Sequence, residues 1–261
     1  MVKKKIIIGN WKMNPSSLKE AERLFTSITK SVSGIKKTEI VICPPFIYLD
    51  RLNSFLKAKS YKLKPNLGAQ NTFWGDAGAY TGEISAEMLY NIGARYIIVG
   101  HSERRAFGEN NNDINKKIKA SLSAGLFPIL CVGESVRDKN HNYFNLVKMQ
   151  LLECLIGISK NSISKVIVAY EPIWAISSTP DRKDATSDDS KEMAIFIRKI
   201  LSDKFGSEAS KIRIIYGGSV NEKDAEDFLQ NGGVDGLFPG RASLDVKKFS
   251  QIIKICEASG K

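Results

Sequence analysis

The apolar run VIVAY (166–170) is followed at once by Glu171, and Glu171 by Pro172, Ile173, Trp174, Ala175 and Ile176. A carboxylate at the end of a β-type run is ordinarily a solvated charge. Under an apolar flap it becomes a base whose access to water is controlled. Other polar groups stand at the ends of similar runs: IIIG leads into Asn10, Trp11 and Lys12, and YIIVG into His101, Ser102 and Glu103. Two late runs end in glycine-bearing turns, Gly217-Gly218-Ser219 and Gly240-Arg241. Singly, each has a bland explanation: a solvated lysine, a structural histidine, a tight turn. Together they make a coherent set. Glycine turns let backbone N–H groups approach a phosphate closely. A glutamate is a competent base for a carbon acid beside a carbonyl, and a neutral histidine and a lysine can polarise that carbonyl and stabilise an enediolate oxygen. The sequence carries no metal-ligand cluster and no nicotinamide fingerprint. The set points to proton transfer without metal or cofactor, that is, aldose–ketose isomerisation of a small sugar phosphate.

For these groups to meet, the runs that carry them must lie side by side. Eight short runs recur along the chain: KIIIGN, EIVICP, KPNLGAQ, RYIIVG, FPILCVG, VIVAYE, RIIYGG and VDGLFPG. Between them lie segments with helical apolar spacing, such as SSLKEAERLFTSITKSV, YFNLVKMQLLECLIGI and DDSKEMAIFIRKILSDKF. Ser16 and Ser17 are candidate N-caps, and Gly34, Gly93, Gly125 and Gly206 candidate helix stops. Strands alternating with helices predict a parallel sheet with helices outside it. Eight such units, with no linker or composition break, predict one (β/α)8 barrel domain over residues 1–261. An open doubly wound sheet is the alternative, but no GxGxxG follows the first strand. In a barrel, chemistry collects at the C-terminal strand ends, where all the groups above fall. One connection is long: residues 69–85, with Phe73, Trp74 and Tyr80. Its aromatics suit either a protein interface or packing beneath the loop.

The composition is 43% hydrophobic and 26% charged, ordinary for a globular chain with a sizeable core. No apolar run reaches the ~18 residues that span a membrane. Cys43, Cys131, Cys154 and Cys256 are widely spaced, without a CxxC pair, and predict reduced thiols in a cytoplasmic protein. The formal charge of +11 raises nucleic acid as a partner. The lysines, however, are scattered over amphipathic segments such as NDINKKIKASLSAG, as on solvated helix faces, and no nucleic-acid-binding signature accompanies them. A positive field also suits a small anionic substrate.

The motifs GNWKMN (9–14), GAQN (68–71), TGEIS (81–85), VGHSERR (99–105), CVGE (131–134), AYEPIWAI (169–176) and YGGSV (216–220) occur in the order and spacing of the triosephosphate isomerase family, which the whole chain resembles. That family is itself a worked case of a glutamate base with a neutral histidine electrophile. The resemblance implies that Glu171 moves the proton between two carbons and His101 donates to the substrate oxygens. It implies that Lys12, helped by Asn10, offsets negative charge, and that Glu103 holds Lys12. Ser177, Ser219, Gly240 and Arg241 would grip the phosphate, with Asn10 and Lys12 also reaching the substrate. Ile176 and Phe238 would clamp over the base. Thr81, on the 69–85 loop, would reach the site of a second copy in a homodimer. The substrate implied is a phosphorylated triose, with no cofactor, nucleic acid or membrane partner. Three departures stand out. Ile176 is followed by SSTPDRKD where the family has a Gly-Thr-Gly-Lys-Thr run, so Ser177 replaces the lid glycine and Asp181 to Asp184 are expected to add solvated length. Phe238 and Pro239 replace smaller aliphatic residues, and Arg241 replaces a frequent glycine. A diverged lid leaves a second reading, a barrel that binds a sugar phosphate with little turnover, although Lys12, His101 and Glu171 are all kept.

Overall fold

The computed structural model describes residues 3–58, 64–176 and 182–260. Among them, eight strands close into a parallel barrel in chain order. They are β1 (Ile6–Asn10), β2 (Glu39–Cys43), β3 (Asn66–Ala69), β4 (Ala94–Val99), β5 (Phe127–Val132), β6 (Ile167–Tyr170), β7 (Arg213–Tyr216) and β8 (Gly236–Leu237). Seven lie within the runs read from the sequence, β4 begins one residue before its run, at Ala94, and β8 pairs back onto β1 at Ile6 and Ile7.

The strands are apolar on both faces because each face has its own core. Ile6, Ile8, Val41, Cys43, Ile98, Ile129, Cys131, Ile167, Ala169 and Ile215 fill the lumen, together with Tyr96 and Phe238. Their neighbours Ile7, Ile42, Leu130, Val168 and Ile214 point outward against helix residues such as Phe25, Ile28, Ile197 and Phe249. This period of two also places the site. Continuing the lumen positions 6 and 8 along β1 gives Asn10, and continuing 167 and 169 along β6 gives Glu171. Both end up as polar caps on the apolar layers, at the C-terminal rim.

The outer helices follow their apolar spacing. Leu18–Ser31 buries Ala21, Phe25 and Ile28, and the Ser17 side chain accepts from Glu20 N at its start. Ser16 is not the cap; its hydroxyl bonds the Glu20 carboxylate instead. The helix Ser187–Phe205 opens on a reciprocal capping box between Thr186 and Asp189 and stops at Gly206, φ 64°. Gly93 and Gly125 also take a positive φ just past helix ends, whereas the first helix ends on Val32 before Gly34 is reached. In the 69–85 loop, Phe73 stacks on Trp74 at 4.3 Å and meets Tyr80 at 4.6 Å. These rings pack on one another, with Tyr80 half exposed and Thr81 exposed beside it. No described helix is long and apolar enough to cross a membrane.

Candidate active site

At the rim, a cavity of about 440 Å³ brings together Asn10, Lys12, His101, Glu171, Ile176 and Phe238. Gly217, Gly218, Ser219, Gly240 and Arg241 line the same cavity. Nearly the whole predicted set therefore faces one space. Glu103 stands behind Lys12 in an adjoining cavity of about 280 Å³ that Asn10, Lys12 and His101 also line. Thr81 lines neither cavity, and Ser177 lies outside the described residues.

Glu171 is 2% exposed. Its N–H donates to Val132 O at 2.8 Å, and its Oε2 accepts from Ser102 N at 3.3 Å. Two glycines make room for it. A Cβ on Gly133 would lie 1.8 Å from the Glu171 carbonyl oxygen, and one on Gly217 would lie 2.8 Å from Glu171 Cγ. Cys131 sits beneath the carboxylate; burial and then the Glu171 charge push its thiol well up, so it stays protonated.

His101 begins the short helix Ser102–Ala106, after Gly100 turns the chain out of β4 with φ 68°. Its Nδ1 accepts from Glu103 N at 3.2 Å. An accepting Nδ1 carries no proton, so the ring is neutral with its hydrogen on Nε2. Nε2 lies 3.4 Å from Glu171 Oε1. The Glu103 carboxylate, 3.7 Å from Nδ1, lies beyond hydrogen-bond distance of that nitrogen.

Lys12 takes φ 52°, a left-handed conformation that costs a side-chain-bearing residue roughly 1–2 kcal/mol. Asn10 Oδ1 accepts from Lys12 N at 3.0 Å, and Gln70 Nε2 donates to Lys12 O at 2.8 Å, so the turn is held from both sides. The side chain passes Gly240, whose added Cβ would meet Lys12 Cε at 3.4 Å, and its Nζ pairs with Glu103 Oε1 at 2.5 Å. A strained backbone, a lysine and a carboxylate 91 residues away thus fix one ammonium at the cavity wall.

The apolar cover starts from a polar anchor that the sequence reading missed. Glu134, fully buried, accepts from Tyr170 OH and from Trp174 Nε1, both at 2.8 Å, with Arg137 Nε at 3.3 Å. Burial first, and the Glu134 charge second, push the Tyr170 phenol well up, so it remains a donor. The turn Ile173–Ala175 is therefore tied down, and Ile176 and Phe238, 8% and 3% exposed, line the cavity with Glu171. Four polar cavity residues were also missed: Arg182, Asn221, Asp245 and Lys248. Arg182 is the one that contradicts an expectation. The sequence predicts a solvated insert there, yet Arg182 Nη1 donates to Ser219 Oγ at 2.8 Å. No local pattern signals this, because the partner lies 37 residues away on another loop.

The triosephosphate isomerase family model matches residues 5–256. The chain belongs to the triosephosphate isomerase family. It is 43% identical to the triosephosphate isomerase of Dictyoglomus thermophilum, over 97% of this chain and 100% of that one. It is 40% identical to that of Endomicrobium trichonymphae, over 97% and 99%. The crystal structure of triosephosphate isomerase from Bartonella henselae superposes with a TM-score of 0.83 at 35% identity, covering 97% of this chain and 99% of that one. The family's reaction, isomerisation of a triose phosphate, matches the chemistry that the carboxylate, imidazole and ammonium allow.

Proposed function

We propose that Glu171, His101 and Lys12 carry out the interconversion of dihydroxyacetone phosphate and D-glyceraldehyde 3-phosphate in this cavity. The Glu171 carboxylate turns from Ser102 N–H to the substrate and removes the carbon-one proton; the C–H electron pair moves between carbons one and two. The oxygen that gains charge accepts a hydrogen bond from His101 Nε2–H and lies in the field of Lys12, with Asn10 beside it. His101 passes its Nε2 proton to that oxygen and takes up the hydroxyl proton of the carbon-one oxygen, which becomes the aldehyde, while Glu171 returns its proton to carbon two. Glu103 positions the ammonium. Ser219 and the N–H groups of Gly240 and Arg241, where the chain enters the turn Arg241–Leu244, hold the phosphate. Ile176 and Phe238 keep water from the base.

The observation that carries this reading is the pairing of a buried carboxylate with a neutral imidazole, 3.4 Å apart, in a cavity that glycine turns also line. A positioned general base is worth ~10²–10⁴ in rate. Glu171→Gln is expected to lose at least that factor in kcat in a coupled isomerisation assay while remaining folded. Near-normal turnover would place the base elsewhere.

We also propose that the barrel is one folding unit over residues 1–261 and that it works as a homodimer through the 69–85 loop, with Thr81 entering the partner's site. Support comes from exposed apolar side chains beside the catalytic groups: Met13 and Phe107, 93% and 81% exposed, border the cavity that Lys12, His101 and Glu103 share. A cytoplasmic location is proposed from four buried, unpaired cysteines.

A further inference from the structure

We propose that Arg182 is a substrate-binding and specificity residue, a guanidinium that the lengthened insert brings to the phosphate of the substrate. This rests on reading the Ser219 and Gly240 end of the cavity as the phosphate site.

Arg182 lines the same cavity as Glu171 and Lys12 although it belongs to the insert before the helix Ser187–Phe205. The backbone next to it is fastened: Lys183 N donates to Trp174 O at 3.2 Å, and Trp174 is itself held by buried Glu134. The guanidinium is therefore tethered to the anchored start of the flap. Nη1 donates to Ser219 Oγ at 2.8 Å and lies 3.3 Å from Asp184 Oδ1.

The direction of the Ser219 contact matters. Arginine has only donors, so Ser219 Oγ must accept, and the serine's own proton is turned toward another acceptor. A phosphate oxygen in the cavity supplies one. The chain Arg182 to Ser219 to phosphate polarises each link. The planar fork of the guanidinium has further N–H groups that suit the same anion directly. The acidic groups nearby leave that charge available. Asp184 is 81% exposed, and such solvated pairs exchange readily for a better anion. Asp245, on the cavity wall, is committed to the N–H groups of Lys247 and Lys248. Lys248 lines the same end and adds to the positive field.

The alternative is a brace, in which Arg182 only pins the insert to the loop after β7. The two differ in whether the substrate's phosphate matters. Wild type, Arg182→Gln and Arg182→Lys are assayed on D-glyceraldehyde 3-phosphate and on D-glyceraldehyde, with inorganic phosphate as a competitive inhibitor. A charge-assisted hydrogen bond to phosphate predicts that the ratio of kcat/KM for the phosphorylated over the bare substrate falls about 10- to 100-fold in Arg182→Gln. Inhibition by inorganic phosphate weakens alongside it, and Arg182→Lys recovers part of both. Equal losses on the two substrates mean a brace and overturn the proposal. So does an unchanged ratio in a variant of an otherwise active isomerase. A wild type without isomerase activity would instead overturn the functional reading beneath it.

Discussion

Replacing Gly217 with alanine tests how closely the fold controls the position of Glu171, the proposed base. Gly217 does not take a positive φ, so an alanine there avoids left-handed backbone strain. The new Cβ would lie 2.8 Å from Glu171 Cγ and 3.3 Å from Phe238 Cδ1. Carbon atoms settle at about 3.5–4.0 Å, so the Glu171 side chain must move by roughly 0.7 Å or more. It cannot move far the other way, because Cys131 lies beneath it and the Glu171 backbone is held at Val132 O. Overpacking of this kind costs about 1–3 kcal/mol of stability. A misplacement near 1 Å costs about 10²-fold in rate, so kcat is expected to fall about 10- to 100-fold in a folded protein. Steady-state isomerisation kinetics and thermal unfolding on the same samples separate the two effects. Unchanged kcat with unchanged unfolding would refute the reasoning, because it would mean that Glu171 has a second equally good position. The contrast is Gly133→Ala, whose Cβ meets the Glu171 backbone at 1.8 Å and which is expected not to fold.

Two further outcomes follow from burial and exposure. Burial pushes the Cys154 and Cys256 thiols up to about 11 from an ordinary 9.0. Below pH 9 folded and unfolded chains both hold these protons and the contribution to stability is full. As pH rises toward 11 the unfolded thiols ionise first, and stability on the order of 2 kcal/mol per thiol is lost. Urea midpoints at pH 8 and pH 10.5, at one protein concentration, are expected to fall accordingly, and equal midpoints would contradict this. Sedimentation at micromolar concentration is expected to give a dimer, with Phe107→Asp shifting it toward monomer; a fully active wild-type monomer would rule out assembly as part of the site.

The strands, the barrel and the positions of Asn10, His101 and Glu171 could be read from the sequence because they rest on short-range regularities. Alternation along IIIGN and IVAYE decides which side chains face the lumen, and strand length decides which of them cap it. Lys12 was legible as a residue after β1. Its left-handed backbone and its pairing with Glu103 were not, since Gln70 and Glu103 reach it only once the barrel has closed. Glu134 looked like the end of a glycine-bearing motif, and only packing shows it buried under Tyr170 and Trp174 as the anchor of the flap. Arg182 is the clearest case. Composition made its segment solvated and polar, which holds for Asp184, but tertiary contacts through Trp174 and Ser219 carry the arginine into the cavity. Local periodicity sets what each element buries. Which distant loops share a wall depends on how the strands close, and no window of sequence contains that register.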